Sequence, residues 1–343
     1  MRRIWGSGVA TAAVVLISVS AGLAARAPSG SDTGSGRVFL PNPVQQLGNE
    51  SLTDQKDADF AELQAAYRTV TLRDLDGSGF LRGKWANIVS ETGNRAYSST
   101  NTFAFNRAQD EFEQVMAYFW VTASQRYIQG LGFGVPNGRR PVNMESQDVR
   151  INQWGLDNSF QTNHPKDEMR FGKGGVDDAE DAEVILHEYG HAIQDAQVPG
   201  FGSTLEAGSI GEGFGDYWAV TVSQVVAGSG ALNDPACVAD WDAVSYTAGP
   251  VHCLRRVDTN KRFPTDVVGE VHADGELWSR ALWDIRGALG ATQADTIILE
   301  AHFSFAPDTT FSAAAQATTA TAKRLYGTRA AGIVATAFTN RGF

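Results

Sequence analysis

The chain has 343 residues, 43% of them hydrophobic and 20% charged, and a formal net charge of −11. That is enough apolar material for a substantial core in one large or two apposed domains, and it excludes a disordered tail. The acidic balance leaves no basic surface for nucleic acid and favours a soluble acidic protein.

The chain opens with Met1-Arg2-Arg3, an apolar run from Val9 to Val19 interrupted by Thr11 and Ser18, and small residues through Ala27. This charged start, short apolar middle and Ala-rich exit predict a signal peptide over residues 1–27, with cleavage after Ala24, Ala25 or Ala27, and hence a secreted protein. The run is shorter than the roughly 20 residues that span a bilayer, so no stable membrane insertion is expected. Residues 28–36, rich in Gly and Ser, read as a linker.

Residues 37–200 read as a β-rich lobe. Strand signals cover Arg37–Leu40, Tyr67–Leu72, Val149–Asn152 and Glu168–Phe171. Asp74 to Gly79 reads as a hairpin turn; its Asp-x-Asp-Gly pattern is part of a calcium loop, but the further acidic ligands are missing. A helix is predicted over Arg107–Gln129, its stripe of Phe112, Val115, Met116, Phe119, Ala123 and Tyr127 facing the core. The acidic run Asp177–Glu183 precedes the next helix, where Asp177 or Asp178 is expected to cap and the other carboxylates favour the positive helix end. The sharper reading of this run is a structural Ca²⁺ site.

Residues 201–343 read as a helical lobe, with helices over 206–226, 276–289 and 311–326, the last ending at Gly327. Strands followed by helices suggest an α+β protein of two lobes with the helix around residue 187 between them. The two cysteines, Cys237 and Cys253, form an even pair that in an oxidising compartment is expected to be a disulfide.

The chemistry concentrates in His187-Glu188-Tyr189-Gly190-His191. Ala182, Ile185, Leu186, Tyr189 and Ile193 recur at helical spacing, so His187 and His191, four apart, stand one turn above the other. Two imidazoles so placed can grip one metal ion from the same side, and Glu188 reaches past it as a carboxylate base. A catalytic zinc commonly takes two His and one Glu. Glu212, 21 residues beyond His191 and near the start of the next helix, is the candidate third ligand. Asp216 lies on the same face four residues on, placed to accept a hydrogen bond from a ligand histidine and fix its tautomer. Gly208, Gly211, Gly213 and Gly215 would weaken an exposed helix, so they point to close backbone approach, as does Gly190.

These stretches resemble the thermolysin-type zinc peptidases, and among them the fungalysin family. Glu270 to Trp278 resembles the segment carrying the histidine that stabilises the transition state, here His272, with Asp266 or Glu270 as its acidic partner. Asn158-Ser159-Phe160 resembles the edge strand that binds substrate backbone, and Leu254-Arg255-Arg256 the segment whose arginine contacts the substrate carbonyl. The assisting tyrosine of those families has no clear counterpart, although Tyr217 and Tyr246 are present. The resemblance implies a thermolysin-like two-lobed fold. It implies a secreted, monomeric metalloendopeptidase in which His187, His191 and Glu212 hold Zn²⁺, and Glu188 is general base toward a zinc-activated water. His272 and Arg255 or Arg256 would donate to the oxyanion, Asn158 and Ser159 would align the chain, and the partners would be protein or peptide substrates. The alternative is a catalytically silent zinc-binding module that only holds a peptide.

Overall fold

The computed structural model describes residues 32–90, 93–228 and 230–343. The predicted signal peptide and the first part of the linker lie outside the described residues. The linker's end does not: strand β1 covers Gly34–Val38, so residues 34–36 are already paired. Among the described residues no helix is long and apolar enough to cross a membrane.

The N-terminal part holds two small sheets. In the first, β1 pairs antiparallel with β2 (Arg68–Leu72) and parallel with β4 (Thr102–Phe103). In the second, β3 (Ala86–Ser90), β5 (Gln147–Ile151), β7 (Glu168–Phe171) and β6 (Ser159–Thr162) lie side by side in that order. β3, β5 and β7 run parallel, and β6 is antiparallel to β7, leaving one edge of β6 unpaired within the sheet. Helix α1 is a single turn over Pro43–Leu47.

Helix α2 (Glu111–Gly130) packs against both sheets and against α3 (Ala182–Gln197). It starts four residues later than the predicted Arg107. α3 docks in turn on α4 (Leu205–Ala227), and α4 on α5 (Val271–Leu289), α6 (Ala291–His302) and α7 (Phe311–Arg341) completing the C-terminal lobe. α5 begins five residues earlier than predicted because Glu270 caps it, accepting from the amides of His272 and Ala273. α6 was not foreseen. α7 breaks at Gly327, where φ is +83°, and a second helical segment follows.

One apolar core runs through both lobes. Where helices cross, several buried polar tips are paired, which offsets the cost of burying a hydroxyl or indole N–H. Tyr189 donates to Gln125 Oε1 (2.9 Å), Trp218 to Ser124 Oγ (2.9 Å), and Tyr127 and Tyr217 both to Asp295. Cys237 and Cys253 are joined in a disulfide beside the short pair β8 (Cys237–Val238) and β9 (Arg255–Arg256).

Candidate metal centre

The apolar face of α3 fixes which way its histidines point. Ile185, Leu186, Tyr189 and Ile193 are fully buried, so His187 and His191 emerge toward α4. The cap is Asp181, whose carboxylate accepts from the Glu183 amide at 2.9 Å, and not Asp177 or Asp178, because a 3-10 turn over Asp178–Glu180 intervenes before the helix begins. The helices meet backbone to backbone. A Cβ on Gly190 would lie 3.0 Å from Gly215 Cα, and one on Gly215 would lie 2.7 Å from His187 Nδ1. Glycine at both positions therefore lets α4 carry Glu212 and Asp216 up to the histidines. α5 approaches α4 by the same device, a Cβ on Gly213 meeting Gly275 O at 2.3 Å.

Three donors converge. His187 Nε2 lies 3.1 Å from Glu212 Oε2 and 3.2 Å from His191 Nε2, and His191 Nε2 lies 3.6 Å from Glu212 Oε1. Ligand bonds of 2.0–2.1 Å in a tetrahedron place neighbouring donors about 3.3 Å apart. The triangle is thus the right size for one small divalent ion, with a fourth corner toward the cleft. The electrostatics agree. Burial is the largest influence on His187 and disfavours its charge, yet hydrogen bonds to Asp216 and Glu212 outweigh it and hold its pKa up at about 10. Burial likewise works to raise Glu212 and Asp216. Glu212 is nevertheless held far below the usual carboxylate range by the two histidines, and Asp216 at about 2 by Arg255 and His187. The site draws positive charge, and a divalent ion bound there would displace the His187 proton.

Asp216 fixes the arrangement from behind. Its Oδ1 is 2.9 Å from His187 Nδ1, and Arg255 grips it with Nε and Nη2, each at 2.7 Å. The sequence left the two arginines open, and the structure separates them. Arg255 faces the cleft, whereas Arg256 turns away to Asp258 (2.7 Å) and Asp234 (2.6 Å) and takes no part in the site. Alternation along β9 is the reason, since neighbouring residues of a strand point to opposite faces. His272, in the first turn of α5, stands with Nε2 3.4 Å from Glu212 Oε2 and Nδ1 2.6 Å from Glu270. Glu270 is therefore its acidic neighbour; Asp266 instead accepts from the Arg262 amide at 2.7 Å. Of the two tyrosines, Tyr217 is buried on Asp295, and Tyr246 lines the cleft.

The cleft consists of two cavities of about 540 and 600 Å³ that share Glu188, His187, His272, Asn158 and Ser159. Glu188 is 6% exposed and stands where they join. Along one wall runs β6 with its unpaired edge. The acidic run before α3 is divided among several tasks. Glu180 pairs with Arg107 at 2.8 Å, Asp181 caps α3 and accepts from Asn42, and Glu183 accepts from the Ala239 amide. Asp178 alone joins a three-carboxylate group, with Asp157 and Asp242. That group went unread because Asp157 and Asp242 lie far from the run and carry no local motif.

The sequence model of the fungalysin metallopeptidase (M36) family matches residues 95–343. The chain belongs to the fungalysin family. It is 24% identical over 250 residues to extracellular metalloproteinase 2 of Trichophyton tonsurans, covering 69% of this chain and 33% of that one. It is 27% identical over 120 residues to extracellular metalloproteinase mep of Aspergillus niger, covering 31% and 18%. It thus spans about a third or less of the length of these curated relatives. Among solved structures it resembles the precursor of protealysin, a metalloproteinase from Serratia proteamaculans, with a TM-score of 0.52 and 16% identity over 74% of this chain and 84% of that one. That likeness is one of fold, and it makes this fungalysin-family chain an α+β protein of the two-lobed thermolysin-like kind.

Proposed function

We propose that the chain is a secreted zinc metalloendopeptidase, and the observation that carries this reading is the convergence of His187, His191 and Glu212 beside Glu188 in an open cleft. Zinc held by these three residues would act as a Lewis acid, polarising the scissile carbonyl and acidifying water. Glu188 takes the proton of the attacking water and delivers it to the departing amine, acting as base and then acid. His272 donates from Nε2 to the oxygen that gains negative charge, with Glu270 on Nδ1 fixing the tautomer that allows it. Arg255, spanning Asp216 and the cleft, adds positive charge on the same side. Asn158 and the backbone of Ser159 hold an extended peptide as an added strand on the unpaired edge of β6, which selects unfolded segments as substrates.

The test is cleavage of an unstructured protein such as casein by the purified chain, with Glu188→Gln and chelator-treated samples beside it. About one zinc per chain, cleavage by the wild type only, and recovery on adding zinc support the reading. Full activity after chelation, or in Glu188→Gln with its zinc retained, overturns it. Secretion is tested by sequencing the N-terminus of the exported protein, expected to begin after Ala24, Ala25 or Ala27.

A further inference from the structure

The cavity of about 540 Å³ on the Arg255 side of Glu188 is lined by three carboxylates, those of Asp157, Asp178 and Asp242, whose oxygens come within 4.8 Å of one another. Asp178 and Asp242 are buried, at 2% and 4% exposure. Each has one oxygen occupied by a hydroxyl: Ser159 donates to Asp178, and Tyr246 donates to Asp242 Oδ2 at 2.6 Å. The other oxygen of each, Asp178 Oδ1 and Asp242 Oδ1, is buried without a hydrogen-bond partner. Among the described residues neither these two nor Asp157 is in an ion pair. Arg255 lines the same cavity, but both of its short contacts are made to Asp216.

A buried carboxylate oxygen without a partner costs free energy that a cation would recover. Burial, with Asp157 nearby in the case of Asp178, pushes Asp157 up to about 6 and Asp178 up to about 7. The same cavity is also lined by the apolar side chains of Val184, Val238 and Leu254. Apolar side chains and carboxyls lining one cavity match a side chain with a methylene stem and a cationic tip, whose charge would favour the ionised carboxylates. They do not match a bare calcium ion, which takes six to eight oxygen ligands.

The direction of β6 says which substrate residue reaches this cavity. Its N-terminal end, Ser159, borders the acidic cavity, and the strand runs away to Thr162 beside the other. A peptide added antiparallel enters from the Thr162 end and passes Glu188 toward the acidic cavity. The residue seated there is the one that supplies the amine of the scissile bond. We infer that the cavity lined by Asp157, Asp178 and Asp242 is a specificity pocket for lysine or arginine immediately after the cleaved bond. This rests on the peptidase reading above and names its preferred substrate class.

The experiment uses the full chain loaded with zinc and fluorogenic peptides identical except for Lys, Arg, Leu, Phe or Glu after the scissile bond. The expected result is kcat/KM at least tenfold higher for Lys or Arg than for Leu or Phe. Asp242→Asn and Asp178→Asn, which keep the side-chain outline, each reduce that ratio at least tenfold, with thermal melts checking that both fold. A wild-type preference for Leu or Phe, a cationic preference on the other side of the bond, or a ratio unmoved in both variants overturns the inference. So does a calcium ion bound to the wild type and lost in Asp242→Asn. A second arm measures anisotropy of labelled Lys and Leu peptides on Glu188→Gln protein. Tighter binding of the Lys peptide there supports the pocket even where no peptide is cleaved, an outcome that sinks the peptidase reading alone.

Discussion

Gly215→Ala isolates the contact on which the metal centre depends. The added methyl would sit 2.7 Å from His187 Nδ1 and 2.8 Å from its Cε1, where ordinary contact begins near 3.4 Å. Relief takes about 0.7 Å of movement by the ring or by the helix pair, beyond the roughly 0.2 Å tolerance of a metal–ligand bond. It also presses on the hydrogen bond from His187 to Asp216. Disturbing groups that orient a ligand typically costs 10- to 100-fold in metal affinity, so a loss of at least tenfold is expected. Stability should fall by no more than about 2.5 kcal/mol, the overpacking cost less the helix gain. Overpacking costs about 1–3 kcal/mol, and exchanging Gly for Ala inside a helix returns about 0.5–1 kcal/mol. Gly211→Ala, one turn earlier on the same helix, is the control. Its methyl would meet Gln194 Oε1 at 3.5 Å and His191 at 3.8 Å, both ordinary distances. It should keep zinc and gain about 0.5–1 kcal/mol. Competition with a chromophoric chelator, casein cleavage and thermal melts are the assays. Wild-type zinc affinity in Gly215→Ala, or equal damage in both variants, refutes the close-approach argument.

Asp216→Asn removes the charge shared by His187 and Arg255. Chelator competition should show zinc affinity down 10- to 100-fold, and denaturant titration a loss smaller than the about 3–5 kcal/mol of a fully buried pair, because the Arg255 side chain is 13% exposed. Replacing Cys237 and Cys253 by serine opens a loop closed across 16 residues, and should cost about 3 kcal/mol in a chemical melt. The stability contributed by Asp177 should also fall from about pH 4 to about pH 9, because burial first, and then Glu180 and Asp57, push its pKa up to about 9. A carboxyl raised above its unfolded value contributes stability that is complete below about pH 4 and is lost as pH rises through the folded value. Melts of Asp177→Asn across that range should show a flatter decline.

What could be read from the sequence was whatever chemistry is local in the chain. The spacing of His187 and His191 puts both on one helix face before any tertiary structure is known. Glu212 and Asp216 stand one turn apart in a run of glycines, and those glycines announce the close crossing that Gly190 and Gly215 make. Helix starts were misplaced where a side-chain cap decided them, as Glu270 does for α5 and Asp181 for α3. A cap is one hydrogen bond among several acidic residues that could make it. Arg255 and Arg256 could not be told apart, because the answer rests on the register of the two-residue strand β9, which is set by its pairing with β8 across the disulfide.

The acidic pocket was illegible for a deeper reason. Its carboxylates come from the segment two residues before β6, the turn before α3 and a 3-10 turn beyond β8, separated by 21 and 64 positions. No period or motif links them, so only the fold brings them together. Each alone reads as an ordinary cap or turn residue. Seen together they are different, because two of their oxygens are buried without partners in carboxyls that line the cavity beside Glu188.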